Sequence, residues 1–334
     1  MTAASLAETA EAIVADGKGI LAADESFPTI KKRFDPIGVE SNEDNRRDYR
    51  EMLFRTPEAE KYISGVILFD ETIRQSAADG TTIVKLLESK GIIPGIKVDG
   101  GAKPLAGHPD ETVTEGLDGL RGRLEEYANL GARFTKWRAV YRIGEEIPTA
   151  ACLSANAHAL ARYAALAQEA GLTPIVEPEV LMDGDHDIDV CDMVTEEVLR
   201  SVYVELAVQE VELEGTLLKP NMVLSGKDCP QQAGVEEVAE RTLRCLKRGV
   251  PAAVPGIVFL SGGQSDEVAT QHLNAMNKMG QSLPWKLSFS YGRALQAAPL
   301  KAWAGKSENV GAAQQAYLER AKANGEAALG RYAA

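Results

Sequence analysis

Cysteine is scarce in this chain, and so are the other residues from which metal sites and disulfide frameworks are built. Among 334 residues the cysteines are Cys152, Cys191, Cys229 and Cys245, with no Cys-x-x-Cys pair. That scatter excludes a disulfide scaffold or a zinc ribbon and points to reduced thiols in a cytoplasmic protein. Histidine is equally rare: His108, His158, His186 and His272 stand far apart, none at ligand spacing with another, so no metal and no other cofactor is expected. Asp183-Gly184-Asp185-His186-Asp187 looks superficially like a calcium loop. It lacks the glycine and glutamate positions of that pattern and reads as a solvated turn. No apolar run approaches the roughly 18 residues of a membrane span. No basic run offsets a formal net charge of −13, so neither nucleic acid nor an anionic membrane is an expected partner. Met1 to Asp16 is acidic and helix-like, without the character of a signal or transit peptide.

What is there is an alternation. Leu6 to Ala15 has the spacing of an amphipathic helix and leads into Gly19–Asp24, a strand finishing on an acid. Helical stretches are then expected from Ser41, with Asp44 as a capping partner, over Thr81–Lys90 and Gly116–Leu130, and from Ser154 as cap to Gly171. Further helices are expected over Asp189–Glu214 and Val235–Arg248, with a last one capped by Ser307 and running to about residue 330. Between them lie apolar runs at Val66–Asp70, Ile92–Asp99, Ala132–Trp137, Thr173–Val180, Leu217–Val223, Gly256–Ser261 and Lys286–Tyr291. Eight strands alternating with helices, with no linker or low-complexity stretch, predict an α/β fold. We expect a single (β/α)8 TIM barrel over 1–334 with additional N- and C-terminal helices. A doubly wound open sheet shares that spacing. The strand ends favour the barrel, because apolar bodies finish on Asp24, Lys97 with Asp99, Lys136, Glu177 with Glu179, Lys219 and Ser261, and barrels place their active sites at those ends.

Lys219 sits in the apolar run Leu217-Leu218-Lys219-Pro220-Asn221-Met222-Val223. In an extended strand Leu217, Lys219 and Asn221 share a face. A lysine among apolar neighbours escapes the cost of a buried charge by losing its proton, and a neutral amine attacks carbonyl carbon. The alternative is a lysine that snorkels to water or pairs with a carboxylate. If the barrel closes, Lys219, Lys136, Glu177 and Asp24 aim into one cavity, with Arg138 and Glu179 behind them: a second ammonium disfavours protonation of the first, and carboxylates move protons. This is equipment for imine chemistry on a carbonyl substrate. Ser261-Gly262-Gly263-Gln264-Ser265 precedes a helix and offers backbone N–H groups to an anion, and Arg293, just past the last strand, adds a guanidinium. Lys97, Arg138, Ser26 and Thr29 form a second candidate anion site across the mouth. Two such sites imply a small-molecule bisphosphate.

At this point the chain resembles the class I fructose-1,6-bisphosphate aldolases. The resemblance is carried by Val211–Asn221 around Lys219, Gly17–Ser26, Gly95–Asp99, Lys136-Trp137-Arg138, Ile175–Glu179, Phe259–Gln264 and Phe289–Gln296, in that family's order and across nearly the whole chain. It implies metal-independent, reversible cleavage of fructose 1,6-bisphosphate to dihydroxyacetone phosphate and glyceraldehyde 3-phosphate. Lys219 would form the Schiff base, Glu177 would serve as acid and base in forming it, and Lys136 would stabilise charge beside both. The resemblance implies Asp24 as the base for the hydroxyl proton, with the division of that work between Asp24 and Glu177 left open and Glu179 close by. It assigns one phosphate to Ser261, Gly262, Gly263, Ser290, Gly292 and Arg293, and the other to Ser26, Thr29 and Lys97 with Arg138. It also implies a homotetramer. The readings set beside it are a transaldolase-like Schiff-base enzyme acting on monophosphates and a non-catalytic sugar-phosphate-binding scaffold.

Three departures from the family's pattern stand out. Phe27-Pro28-Thr29 replaces the usual Thr-Gly-Ser, and Pro28 is expected to stiffen that loop. Gly100 replaces a larger residue after Asp99. Many members also carry a flexible tail whose terminal tyrosine assists proton exchange at the barrel mouth, whereas Tyr332 lies close behind the last helix here and is expected to pack near its end.

Overall fold

The apolar runs become strands whose alternate residues fill a closed interior. In the computed structural model, which describes residues 3–279 and 282–333, eight parallel strands close a barrel in sequence order. They are β1 (Gly19–Ala23), β2 (Ile63–Leu68), β3 (Ile93–Lys97), β4 (Phe134–Tyr141), β5 (Thr173–Val180), β6 (Leu217–Leu218), β7 (Gly256–Phe259) and β8 (Lys286–Tyr291). Closure is made by β1 against β8, with Ile20 opposite Ser290 and Leu21 opposite Tyr291. An open doubly wound sheet has no such pair. Met1 and Thr2 of the N-terminal segment, and Ala334 of the tail, lie outside the described residues.

The helices are α1 (Ala3–Ile13), α2 (Phe27–Phe34), α3 (Glu43–Phe54), α4 (Asp70–Arg74), α5 (Ile83–Ser89), α6 (Leu120–Asn129), α7 (Ala150–Glu169), α8 (Ile188–Val208), α9 (Val235–Gly249), α10 (Asp266–Lys278), α11 (Arg293–Trp303) and α12 (Val310–Ala328). Most cover the outside of the barrel, where Leu, Val and Ala side chains of strand and helix form a continuous buried layer. A separate cluster fills the inside: Ile20, Ala22, Ile67, Phe134, Ile175, Leu217 and Val258, closed from below by Ala10, Ile13 and Val14 around the end of α1. Phe134 needs room there. A Cβ on Gly95 would lie 2.3 Å from its ring, so only glycine fits beside it in β3.

Several boundaries differ from the sequence expectation for identifiable reasons. Helix α3 is capped by Asn42, whose Oδ1 accepts from the Asn45 amide at 2.9 Å, not by Ser41 with Asp44. Helix α7 begins one turn early, capped by Thr149, and Ser154 lies inside it. Helix α8 stops at Val208; Glu210 takes a left-handed φ of 54°, which ends the helical path well before Glu214. Strand β6 is two residues long, because Pro220 has no N–H to donate to the ladder. Asn221 therefore does not share the inward face of Lys219. Its amide accepts from the Val180 N–H at 2.9 Å and donates to Thr195 on α8 at 3.1 Å. A hairpin, Ala102–Pro104 against Thr112–Thr114, was not expected. It accounts for Gly100, whose Cβ would come within 3.0 Å of the Glu115 carbonyl oxygen as the chain folds back.

Candidate active site

The inward face of each strand carries its apolar residues low and its polar residues high. Ile20, Ala22 and then Asp24 follow one another at alternate positions, as do Phe134, Lys136 and Arg138, Ile175, Glu177 and Glu179, and Leu217 and Lys219. The polar members converge on a cleft of ≈ 420 Å³ at the C-terminal ends of the strands, which all fifteen residues singled out from the sequence line. The cleft gathers Ser26, Thr29, Lys97 and Arg138 with Ser261, Gly262, Gly263, Ser290, Gly292 and Arg293 around the Asp24, Lys136, Glu177, Glu179 and Lys219 centre.

At that centre Lys219 Nζ lies 3.1 Å from Glu177 Oε1, and Lys136 Nζ lies 3.1 Å from Glu177 Oε2 and 2.7 Å from Asp24 Oδ2. Lys136, Glu177 and Lys219 are each no more than 4% exposed. Lys219 does not snorkel to water, but it does pair with a carboxylate, that of Glu177. One carboxylate bridges two amines and a second carboxylate anchors one of them. Burial alone would raise the Asp24 carboxyl, but the charges of Lys136, Lys219 and Lys97 outweigh it and bring it down to about 2. Burial likewise works against the Lys136 ammonium, and Asp24, Glu177 and Asp99 more than offset it, holding Lys136 firmly protonated.

Two cationic sides flank this centre. On one, Ser26 and Thr29 bring their hydroxyl oxygens within 3.2 Å of each other at the start of α2, and the Ser26 hydroxyl makes no capping bond. Lys97 beside them is steered by Asp99, 2.7 Å from its Nζ, and Asp99 also accepts from the Arg138 amide. Arg138 meets Glu179 at 2.5 Å; burial opposes its charge, but that carboxylate outweighs burial and raises its pKa. On the other side Gly262 and Gly263 take left-handed φ values of 53° and 92°, a path open to glycine that turns the chain sharply after Ser261. Arg293 opens α11 alongside, its Nη2 3.4 Å from the Gln264 carbonyl. The N-termini of α10 and α11 thus flank one loop, an arrangement suited to an anion.

The sequence reading missed two charged lining residues, Arg33 and Glu25. Arg33 follows Ser26 by seven residues and Thr29 by four, the spacing of one helix face, and its signal was hidden because no helix was expected at Pro28. Glu25 has a mostly buried side chain, accepts from Gln296 Nε2 at 2.7 Å and sits 3.8 Å from the Arg50 guanidinium; burial raises its pKa, the Arg50 charge opposing. Among the described residues, no three His, Cys, Asp or Glu side chains are placed to share a metal ion, and no helix is long and apolar enough to cross a membrane.

Comparison with known proteins places this arrangement. Residues 5–334 match the family described as "Glycolytic: Fructose-bisphosphate aldolase class-I". A probable fructose-bisphosphate aldolase class 1 of Xanthomonas campestris pv. campestris is 63% identical over 333 residues, 99% of both chains. The fructose-bisphosphate aldolase of Echinococcus multilocularis is 56% identical, covering 98% of this chain and 90% of its own. A solved structure of fructose-bisphosphate aldolase from Plasmodium falciparum, in complex with TRAP and a small-molecule inhibitor, superposes with a TM-score of 0.97 at 50% identity, covering 99% of this chain and 96% of that one. With a closed barrel, a buried lysine bridged to a second amine by one carboxylate, and likeness along its whole length, this chain belongs to the class I fructose-bisphosphate aldolase family.

Proposed function

We propose that this aldolase cleaves fructose 1,6-bisphosphate through an imine on Lys219, without a metal, and that Glu177 is the central proton carrier. The observation that carries the reading is the bridge of Glu177, 3.1 Å from both amines. The attacking amine must be neutral, and Glu177 Oε1 is in hydrogen-bond reach to take its proton. Lys219 Nζ then adds to the ketone carbon. Glu177 returns a proton to the carbinolamine hydroxyl, which leaves as water, and the iminium forms. Next the C3–C4 bond breaks, its electron pair flows into the iminium to give an enamine, and the C4 hydroxyl loses its proton as the aldehyde departs. Protonation of the enamine and hydrolysis release dihydroxyacetone phosphate and restore Lys219. Asp24, charged at working pH because its carboxyl is held at about 2, is well placed to accept a hydroxyl hydrogen bond but is a weak base. Glu177 therefore takes the larger share of proton transfer, and Lys136, kept as an ammonium, stabilises developing negative charge. Glu179 acts by holding Arg138.

The cationic sides of the cleft would receive the two phosphates, one at Ser261, Gly262, Gly263, Ser290, Gly292 and Arg293, the other at Ser26, Thr29, Lys97 and Arg138. That pairing favours a bisphosphate over the monophosphates of a transaldolase-like enzyme. We also propose that the chain works as one barrel domain, in the cytoplasm, as a homotetramer. Borohydride reduction in the presence of dihydroxyacetone phosphate, followed by peptide mass mapping, tests the chemistry. Label on Lys219 alone is expected, with activity retained in EDTA. Label on Lys136 or Lys97, or none, would overturn the assignment, and absence of any label with intact sugar-phosphate binding would identify a scaffold.

A further inference from the structure

The anion loop after β7 is braced from behind. We propose that His272, in the second turn of α10, is a positioning residue that acts through the Gln264 amide to hold Ser261–Gly263 in phosphate-binding shape. The inference rests on the phosphate role assigned to that loop above.

Gln264 is the knot of the loop. Its backbone N–H and its side-chain Nε2 both donate to the Ser261 carbonyl, each at 3.0 Å, and its own carbonyl accepts from Arg293. His272 Nδ1 meets Gln264 Oε1 at 2.6 Å, and both side chains are buried, at 4% and 6% exposure. This contact sets which way the amide faces. Were the amide turned over, its oxygen would face the Ser261 carbonyl oxygen, two acceptors without a proton between them. With Oε1 on the imidazole, Nε2 points at Ser261 and closes the turn that the two left-handed glycines require. The same geometry fixes the tautomer: an amide oxygen only accepts, so Nδ1 carries the proton. The ring is neutral, since burial pulls its pKa down to about 4. It lends the loop a donor without adding a charge that would itself attract anions. Supporting residues of this kind commonly affect affinity although they touch no ligand.

The role makes a chemical demand that asparagine also meets. Asparagine Nδ2, like histidine Nδ1, is bonded to the atom that follows Cβ, so His272→Asn keeps a donor at the same reach, whereas His272→Leu removes it. The test uses inorganic phosphate as competitive inhibitor and trapping of unphosphorylated dihydroxyacetone as the phosphate-independent reaction, with Arg293→Ala as reference. His272→Leu is expected to weaken phosphate inhibition about 3- to 10-fold, the loss of one buried hydrogen bond, while dihydroxyacetone trapping is unchanged. His272→Asn should restore most of the affinity. In a Gln264→Met background His272→Leu should add nothing further, because its effect passes through that amide. Should His272→Leu fail to fold, Gln264→Met alone must show the same selective loss. Unchanged phosphate inhibition in either variant, equal loss of dihydroxyacetone trapping, additive losses in the double variant, or no recovery with asparagine would each overturn the proposal. Arg293→Ala separates the two claims. If it weakens phosphate and His272→Leu does not, the brace is wrong and the phosphate site stands. If neither does, the phosphate role of the loop falls as well.

Discussion

Asp24 shows how one residue's surroundings fix its charge. Its side chain is mostly withdrawn from water, which on its own favours the neutral acid, yet the charges of three lysines act on it and the carboxyl is held at about 2 against 3.8 for an ordinary aspartate. Because the folded value is the lower one, the native state gains stability from Asp24 above about pH 4, where both folded and unfolded chains carry the charge. That gain is lost as pH falls from about 4 toward 2. A depression of this size corresponds to on the order of 2 kcal/mol. Denaturation midpoints of the wild type and Asp24→Asn should therefore differ by a constant amount from pH 5 upward and converge between about pH 4 and 2. A gap that closes instead between pH 5 and 7 would show that the lysines do not govern this carboxyl. The same reasoning assigns any acid limb of activity near neutrality to a group other than Asp24. Residues such as Asp24, Lys136 and Glu177 were legible because period-2 alternation extends the apolar inner face of a strand to its polar end. Arg33 was not, since its place depends on a helix that the sequence pattern conceals.

That helix, α2, carries one cationic side of the cleft. Pro28 was read as a stiffened loop. It stands instead in the first helical turn, where a missing N–H costs nothing and a fixed φ suits the helix. Phe27 beside it is half exposed but not loose: the Arg46 guanidinium lies 4.7 Å over its ring, and Phe69 meets it edge-on at 5.2 Å. Arg46 is in turn paired with Glu71 of α4. The helix that presents Ser26, Thr29 and Arg33 is thus clamped to α3 and to the end of β2. Phe27→Ala should release contacts worth about 1 kcal/mol and raise KM for fructose 1,6-bisphosphate several-fold. KM for a sugar monophosphate held only through the opposite Ser261–Gly263 loop, which has no phosphate to place at α2, should hardly move. Equal changes for both substrates would show that Phe27 supports the barrel generally and not this anion site. The scale of single elements also explains why β6 and the hairpin after β3 were misjudged or missed. A proline ends the ladder of one, and the other has strands of three residues, too short for alternation to be read.

At the scale of the whole molecule, what the sequence could not display is distance. Polar strand ends argued for a shared site, but the pairing of β1 with β8 joins residues about 270 apart in sequence, and only the closed barrel makes that join. The same is true of Tyr332. Its backbone N–H donates to Asn274 Oδ1 at 3.0 Å and its carbonyl accepts from Asn274 Nδ2 at 3.2 Å, so α10 pins it at both backbone groups. Asn274 lies eight residues beyond Asp266, the end of α10 nearest the cleft, roughly 12 Å down the helix at ~1.5 Å per residue. The ring packs, half buried, against the hydrophobic layer there. For the Tyr332 hydroxyl to reach Lys219, both hydrogen bonds would have to break and the segment would have to cross the barrel rim. On the mechanism proposed above, proton exchange on the enamine is then served from within the cleft, by Glu177 or by water. Tyr332→Phe is therefore expected to leave cleavage of fructose 1,6-bisphosphate, and hydrogen exchange at carbon 3 of dihydroxyacetone phosphate, within a factor of about three, consistent with a surface substitution. Glu177→Gln should depress both by orders of magnitude, since it removes the proton carrier itself. A hundredfold fall in exchange for Tyr332→Phe, with borohydride trapping on Lys219 intact, would mean that the pinned segment leaves Asn274 during turnover and that the tyrosine does reach the mouth.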